Sequence, residues 1–204
     1  VKKQMRLIGT NLTAAQSGRI LFSALDFFLD SGNLLTVTGA NGAGKSTLLR
    51  IIAGLDRAIT GSIHIEEDGT MLPRAMFCHY LSDKNAMNPM LSVGENLFFW
   101  KKWSGMSNYD PYQALEILEI AHSIHIPYGI LSTGQKRRVA LARLLITWRP
   151  LWILDEPTSG LDDGAVDLFS IIMKRHMQSS GMIIAATHLP LGVGETSSIT
   201  LKDD

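Results

Sequence analysis

Eight residues, Gly39-Ala40-Asn41-Gly42-Ala43-Gly44-Lys45-Ser46, satisfy the pattern G-x-x-x-x-G-K-[ST]. Its glycines let the backbone curl so that successive N–H groups point inward at phosphate oxygens, and the helix that follows adds its positive end. In such a loop Lys45 reaches the β and γ phosphates of a nucleotide, the Ser46 hydroxyl is offered to Mg²⁺, and Thr47 can donate towards the α phosphate. Further along, Leu151-Trp152-Ile153-Leu154 runs straight into Asp155-Glu156. Two carboxylates leaving a buried apolar strand are costly unless something cationic offsets them. Beside a bound phosphate, Asp155 would hold Mg²⁺ through its water shell and Glu156 would polarise an attacking water as general base. By itself the pair would read as well as an acidic cap on the next helix, with Pro157 as a stop; the phosphate-loop pattern upstream favours chemistry.

The elements around these residues are those the chemistry requires. Residues 34–38 form a short apolar strand entering the loop, and residues 46–53 carry helical spacing closed by Gly54. Residues 5–12 and 20–29 read as two early strands of an antiparallel edge sheet, followed by a turn at Ser31-Gly32-Asn33. Residues 61–66 and 75–81 read as further strands. Ser92-Val93-Gly94-Glu95 is a capping box ahead of a helix over 96–103, and Asp110-Pro111 supplies an N-cap and an N1 proline for a helix to about residue 121. Residues 136–146 make another amphipathic helix. The pattern then returns to strand at 151–154, helix at about 165–178, strand at 182–186 and a last short strand near 199–201. Strands alternating with helices at both ends predict an α/β fold with a mainly parallel core sheet. The helical segment, roughly 92–147, is an inserted lobe of a single domain spanning 1–204.

Composition sets outer bounds. With 46% apolar and 19% charged residues over 204, the chain has the make-up of a globular domain with a sizeable core. Lys plus Arg and Asp plus Glu balance at 19 each, so no basic field invites nucleic acid. A single cysteine, Cys78, excludes an intrachain disulfide and fits a reducing setting. The apolar runs at 20–29 and 139–146 fall short of the ~18 residues a membrane helix needs. No membrane span is expected, and the first apolar run ends at Gly9-Thr10-Asn11 too soon for a signal segment.

Leu131-Ser132-Thr133-Gly134-Gln135 stands just before a helix; alone it reads equally as a helix cap. In the company of the phosphate loop, the acidic strand end, Ser159-Gly160-Leu161-Asp162 and Thr187-His188, all in this order, it resembles the LSxGQ signature of the ABC transporter ATPases. The resemblance covers nearly the whole chain. It implies the ABC form of the P-loop NTPase fold, with ATP and Mg²⁺ as ligands and ATP hydrolysis as the reaction. It also implies that Ser132, Gly134 and Gln135, at a helix N-terminus that favours an anion, grip the nucleotide of a second subunit. Two sites would then form when two copies of the ATPase subunit, a homodimer, meet head to tail with transmembrane subunits beside them. Asp162 falls in the segment like the family's D-loop. His188, which as a lone histidine would read as a loop residue, matches the switch histidine that senses the γ phosphate.

Within the family, the run 134–143, the strand end 151–157 and Thr187-His188-Leu189-Pro190-Leu191 are most similar to the ATP-binding subunits of the haem exporter of cytochrome c maturation. That implies a peripheral subunit on the cytoplasmic face of the inner membrane. The rival readings are a soluble ABC ATPase and an assembly or regulatory module with weak hydrolysis. Two departures from the family stand out. Gln16 occupies the region where an aromatic usually stacks on adenine, leaving Gln16, Arg19 and Leu21 to cover the base, and Asp83 lies where a glutamine usually touches Mg²⁺. Leu97, Phe98, Phe99, Trp100 and Trp103 are expected partly in the lobe core and partly in a groove facing the membrane subunit. Lys136, Arg137 and Arg138 are read as a solvated helix face.

Overall fold

The computed structural model describes residues 4–72, 77–105, 108–194 and 197–202. In chain order the strands are β1 (Met5–Gln16), β2 (Arg19–Asp30), β3 (Leu34–Gly39), β4 (Thr60–Glu67), β5 (Thr70–Leu72), β6 (Cys78–Leu81), β7 (Leu151–Asp155), β8 (Met182–Ala186) and β9 (Ser197–Leu201). The helices are α1 (Lys45–Ile52), α2 (Val93–Ser104), α3 (Pro111–Ile117), α4 (Thr133–Ile146) and α5 (Asp163–Gln178).

β1 and β2 form a long antiparallel hairpin closed by Ser17 and Gly18, with φ of 52° and 82°. Two successive positive φ values give the turn whose twist matches the strands it joins. Both strands consequently run further than the expected 5–12 and 20–29. β4 and β5 complete an antiparallel sheet in the order β2-β1-β4-β5; β5 was not expected from the sequence. Of the expected strand at 75–81, residues 78–81 form β6, while 75 and 76 lie outside the described residues, as do the first three of the chain.

The second sheet is wholly parallel, in the order β6-β7-β8-β3-β9. Its strands alternate between two cores, as the pleat dictates. Trp152, Leu154, Ile183 and Ala185 face one cluster with Phe169 of α5 and the buried residues of α2, α3 and α4. Leu151, Ile153, Met182 and Ile184 face the other, with Leu48, Leu49 and Ile52 of α1 and Leu7 and Leu12 of β1. Each fully buried large side chain contributes about 1.5–3 kcal/mol, so the parallel sheet is the rigid layer on which the rest is hung.

Between β6 and β7 each of the three α-helices starts from a side-chain cap. Ser92, Asp110 and Ser132 each form a reciprocal capping box, with Glu95, Gln113 and Gln135. The last of these starts α4 at Thr133, ahead of the expected 136. α3 stops at Ile117 rather than near 121, because Leu118 leaves the helical conformation and Glu119 takes a positive φ of 56°. Among the described residues no helix is long and apolar enough to cross a membrane.

Candidate nucleotide site

β3, β8 and β7 are neighbours in one parallel sheet, so the loops leaving their C-terminal ends open on the same edge. The phosphate-loop pattern follows β3, His188 follows β8, and Asp155-Glu156 ends β7. All meet in a cavity of about 310 Å³ lined by Asn41, Gly42, Gly44, Lys45, Ser46 and Thr47 of the loop, by Asp155, Glu156 and His188, and by Gln16.

The loop wall is backbone. Gly42 and Gly44 sit at φ 87° and 96°, and no side chain caps the N-terminus of α1, so its N–H groups are offered to a ligand. Gly39 has φ 143°, and a Cβ there would lie 2.5 Å from the Leu201 carbonyl, so glycine is required where β3 passes into the loop. Lys45 Nζ donates to the carbonyls of Gly39 (2.8 Å) and Ala40 (3.0 Å), which arches the ammonium over the loop. Gly39, Ala40 and Ala43 shape this loop without lining the cavity. Ala43 is buried in the core, and its N–H is spent on the Ala40 carbonyl at 3.2 Å.

The carboxylate wall depends on one strained residue. Asp155 is the last residue of β7 and is buried; Glu156 turns out of the sheet with φ 43° while its N–H donates to the Ala186 carbonyl at the end of β8 (2.9 Å). A non-glycine residue in this left-handed region is uncommon and persists where its surroundings over-determine it. His188 Nε2 lies 3.8 Å from Glu156 Oε1. The preceding Thr187 is buried and its hydroxyl accepts from Leu189 N–H (3.0 Å), fixing the turn that presents the imidazole.

The surroundings of Glu156 hold a residue the sequence reading misplaced. Arg137 is 4% exposed, far from a solvated position. Its Nε donates to the Pro157 carbonyl (3.0 Å), its Nη2 to those of Asp155 (2.8 Å) and Glu156 (2.7 Å), and its Nη1 to Ser82 O (2.7 Å) and Asn85 Oδ1 (2.9 Å). Burial lowers its pKa from the usual arginine value, and the carboxylates of Asp155 and Asp83 oppose that. The neighbours are also engaged. Lys136 Nζ donates to the Gly129 carbonyl (2.9 Å), and Arg138 Nη2 holds both oxygens of Asp162 (3.0 and 2.8 Å). Position 137 shares a helical face with Ala140, Leu141 and Leu144, all buried, a spacing that marks it as inward-facing.

The residues matched to the signature stand apart from this cavity. Ser132 accepts from Gln135 N–H (3.3 Å) and Gln135 Oε1 from Ser132 N–H (2.9 Å), so both side chains are engaged in starting α4. Gly134 packs on the backbone of Gly160, where a Cβ would come within 2.9 Å of the carbonyl. Asp162 does not line the cavity; it caps α5 through Ala165 N–H (2.8 Å). Of the three residues expected to cover a base, Gln16 lines the cavity, Leu21 is buried beneath Gly44, and Arg19 lies outside the lining. Asp83 is exposed and also outside it. In α2, Leu97 is buried, Trp100 Nε1 donates to the Ala86 carbonyl (3.1 Å), and Phe98, Phe99 and Trp103 are exposed.

The chain resembles known proteins over most of its length. Residues 22–159 match the family model described as ABC transporter. The chain is 50% identical over 196 residues to a cytochrome c biogenesis ATP-binding export protein of Brucella abortus, covering 96% of this chain and 91% of that one. It is 48% identical to the protein of the same name from Bartonella henselae, over 97% and 95%. Its fold superposes on the structure of an ATP-binding subunit of an ABC transporter with a TM-score of 0.78 at 25% identity, covering 90% of this chain and 79% of the other. A phosphate loop, an acidic strand end and a histidine on three adjacent strands, in a chain this similar to those proteins throughout its length, make it a member of the ABC transporter family, as an ATP-hydrolysing subunit of the same type as these cytochrome c biogenesis ATP-binding export proteins.

Proposed function

We propose that this chain hydrolyses ATP to drive a membrane exporter that serves cytochrome c maturation, moving haem or a compound needed for haem handling. The observation that carries the reading is the convergence of Lys45, Ser46, Asp155, Glu156 and His188 in one cavity at the ends of three adjacent parallel strands. In this reading the α1 N-terminus and Lys45 neutralise the triphosphate, and Glu156 accepts the proton of the water that attacks the γ phosphorus, a role worth about 10²–10⁴-fold in rate. His188, within reach of Glu156, donates to the γ phosphate and registers its departure. Ser46 and Asp155 suit Mg²⁺, since a hydroxyl and a carboxylate leave the remaining positions to phosphate oxygens and water. The ion would supply charge neutralisation of the transferring group. Gln16 meets the base or ribose by polar contact.

Ser132, Gly134 and Gln135 act on the nucleotide of a second copy. Their helix start supports this, because it lies outside the lining of this chain's own cavity and retains the positive end of α4. Asp162 then serves by fixing the position of that interface through Arg138 and Ala165 rather than by touching nucleotide. The chain works as one nucleotide-binding domain whose lobe, 92–147, offers Phe98, Phe99 and Trp103 to the membrane subunits at the cytoplasmic face of the inner membrane. Lys45→Ala tests the assignment. Loss of a charge-assisted donor worth about 1.5–3 kcal/mol should weaken ATP binding roughly tenfold to hundredfold and abolish hydrolysis, with the fold intact by circular dichroism. Wild-type ATP affinity in that variant would refute it.

A further inference from the structure

The acidic strand end has to solve a local problem. β7 ends at Asp155, and the left-handed turn at Glu156 takes the next residues out of the sheet ladder. The carbonyls of Asp155, Glu156 and Pro157 each accept from the guanidinium of Arg137, that of Glu156 sharing itself with Ser159 N–H (3.1 Å). A buried carbonyl without a donor is costly, and a planar fork of five N–H groups is the one side chain able to serve three consecutive carbonyls at once. The fork is not used up on them. Its two remaining donors go to Ser82 O and Asn85 Oδ1, in the segment that leaves β6 on the other side of β7. Asn85 in turn donates to Tyr128 Oη (3.1 Å), whose ring underlies Lys136 at the start of α4. Five donors thus meet five acceptors, with no N–H left over.

We propose that Arg137 is a positioning residue for hydrolysis: it holds Glu156 in its left-handed conformation and makes the 82–86 segment and the carboxylate move as one unit. The inference rests on the role given to Glu156 above. Its consequence is that a displacement of Ser82 or Asn85, such as a partner pressing on the adjoining surface would cause, reaches Glu156 through one rigid group. Nucleotide binding, which depends on the phosphate loop, is left untouched.

The test compares Arg137→Met, which keeps length and loses every donor, Arg137→Lys, which keeps charge and loses the fork, and Asn85→Ala, which removes one acceptor. Two readouts are taken on the full chain: kcat and KM for Mg-ATP, and amide hydrogen exchange of 82–86 and 155–158 with and without Mg-ATP. Arg137→Met should lower kcat at least tenfold, about one unit of log rate, with KM within about twofold. Arg137→Lys should recover part of that loss, and Asn85→Ala should lower kcat a few-fold in the same KM-independent way. In all three, nucleotide should still bind while its effect on exchange at 82–86 is reduced or lost. If Arg137→Met does not fold, Arg137→Lys and Asn85→Ala decide the matter. Wild-type kcat in the folded Arg137 variants, a parallel loss of kcat and ATP affinity, or a wild-type exchange response at 82–86 would each overturn the proposal. Failure of the wild-type chain to hydrolyse ATP would count against the role of Glu156 instead, and the exchange response would still report on the coupling.

Discussion

Two histidines buried on the lobe side of the parallel sheet should make this protein lose stability in mild acid. His79 is 9% exposed with Nε2 2.7 Å from the Thr147 carbonyl, and burial pushes its pKa down to about 3, aided by the nearby Arg143 and Arg149. His176 is 6% exposed and stacks on Trp152 at 3.9 Å between ring centroids; burial lowers its pKa to about 4 against backbone contacts with Met182 and Pro150. Both folded values lie below the ~6.5 of an unfolded imidazole, so below pH 6.5 the unfolded chain binds protons that the folded chain refuses. The stabilisation from keeping these rings neutral is therefore present above pH 6.5 and is lost as pH falls, down to about 4 for His176 and about 3 for His79. At pH 5.5 each histidine costs between about 1 and 2 kcal/mol, and at pH 4.5 the pair costs about 5. That is a large part of the 5–15 kcal/mol typical of a domain. Urea unfolding followed by circular dichroism at pH 7.5 and 5.5 measures the difference. His79→Gln and His176→Phe should each shrink the pH-dependent loss by between about 1 and 2 kcal/mol, whatever they do to stability at neutral pH. A double variant that keeps the full wild-type loss would refute the reasoning.

Ser132→Ala removes the cap on α4 and should cost about 1 kcal/mol of stability; it should leave ATP binding to the single chain unchanged while lowering hydrolysis by the pair, read by thermal melting, nucleotide binding and steady-state turnover. Asp83→Ala should leave the Mg²⁺ dependence of turnover unchanged, because the carboxylate is exposed and outside the nucleotide cavity; a shifted Mg²⁺ titration would place it at the metal after all.

The parts of the site that recur as local pattern were readable from residue types. Strand, glycine loop and helix at 34–53, and apolar strand into paired carboxylates at 151–156, declare themselves because each is written in consecutive residues. The capping boxes at Ser92, Asp110 and Ser132 are equally local. What escaped was set by tertiary partners. Ser17-Gly18 joins strands whose pairing extends β1 and β2 well past their apolar runs, and β5 exists because β4 offers it an edge. Arg137 reads as one of three basic residues in a row until the carbonyls of 155–157 are placed beside it. Glu156 gives no hint in its residue type of the left-handed turn that aims it. Nor does Asp162 reveal that Arg138 and Ala165 occupy it.

The most direct measurement is of Glu156→Gln with Mg-ATP. The amide keeps the size of the side chain and its place beside His188, but it cannot accept the proton of the attacking water. Nucleotide should bind with near wild-type affinity, turnover should fall by about 10²–10⁴-fold, and light scattering should find a stable two-chain particle carrying two uncleaved ATP molecules. Turnover at the wild-type rate in Glu156→Gln would contradict the catalytic role assigned to this carboxylate.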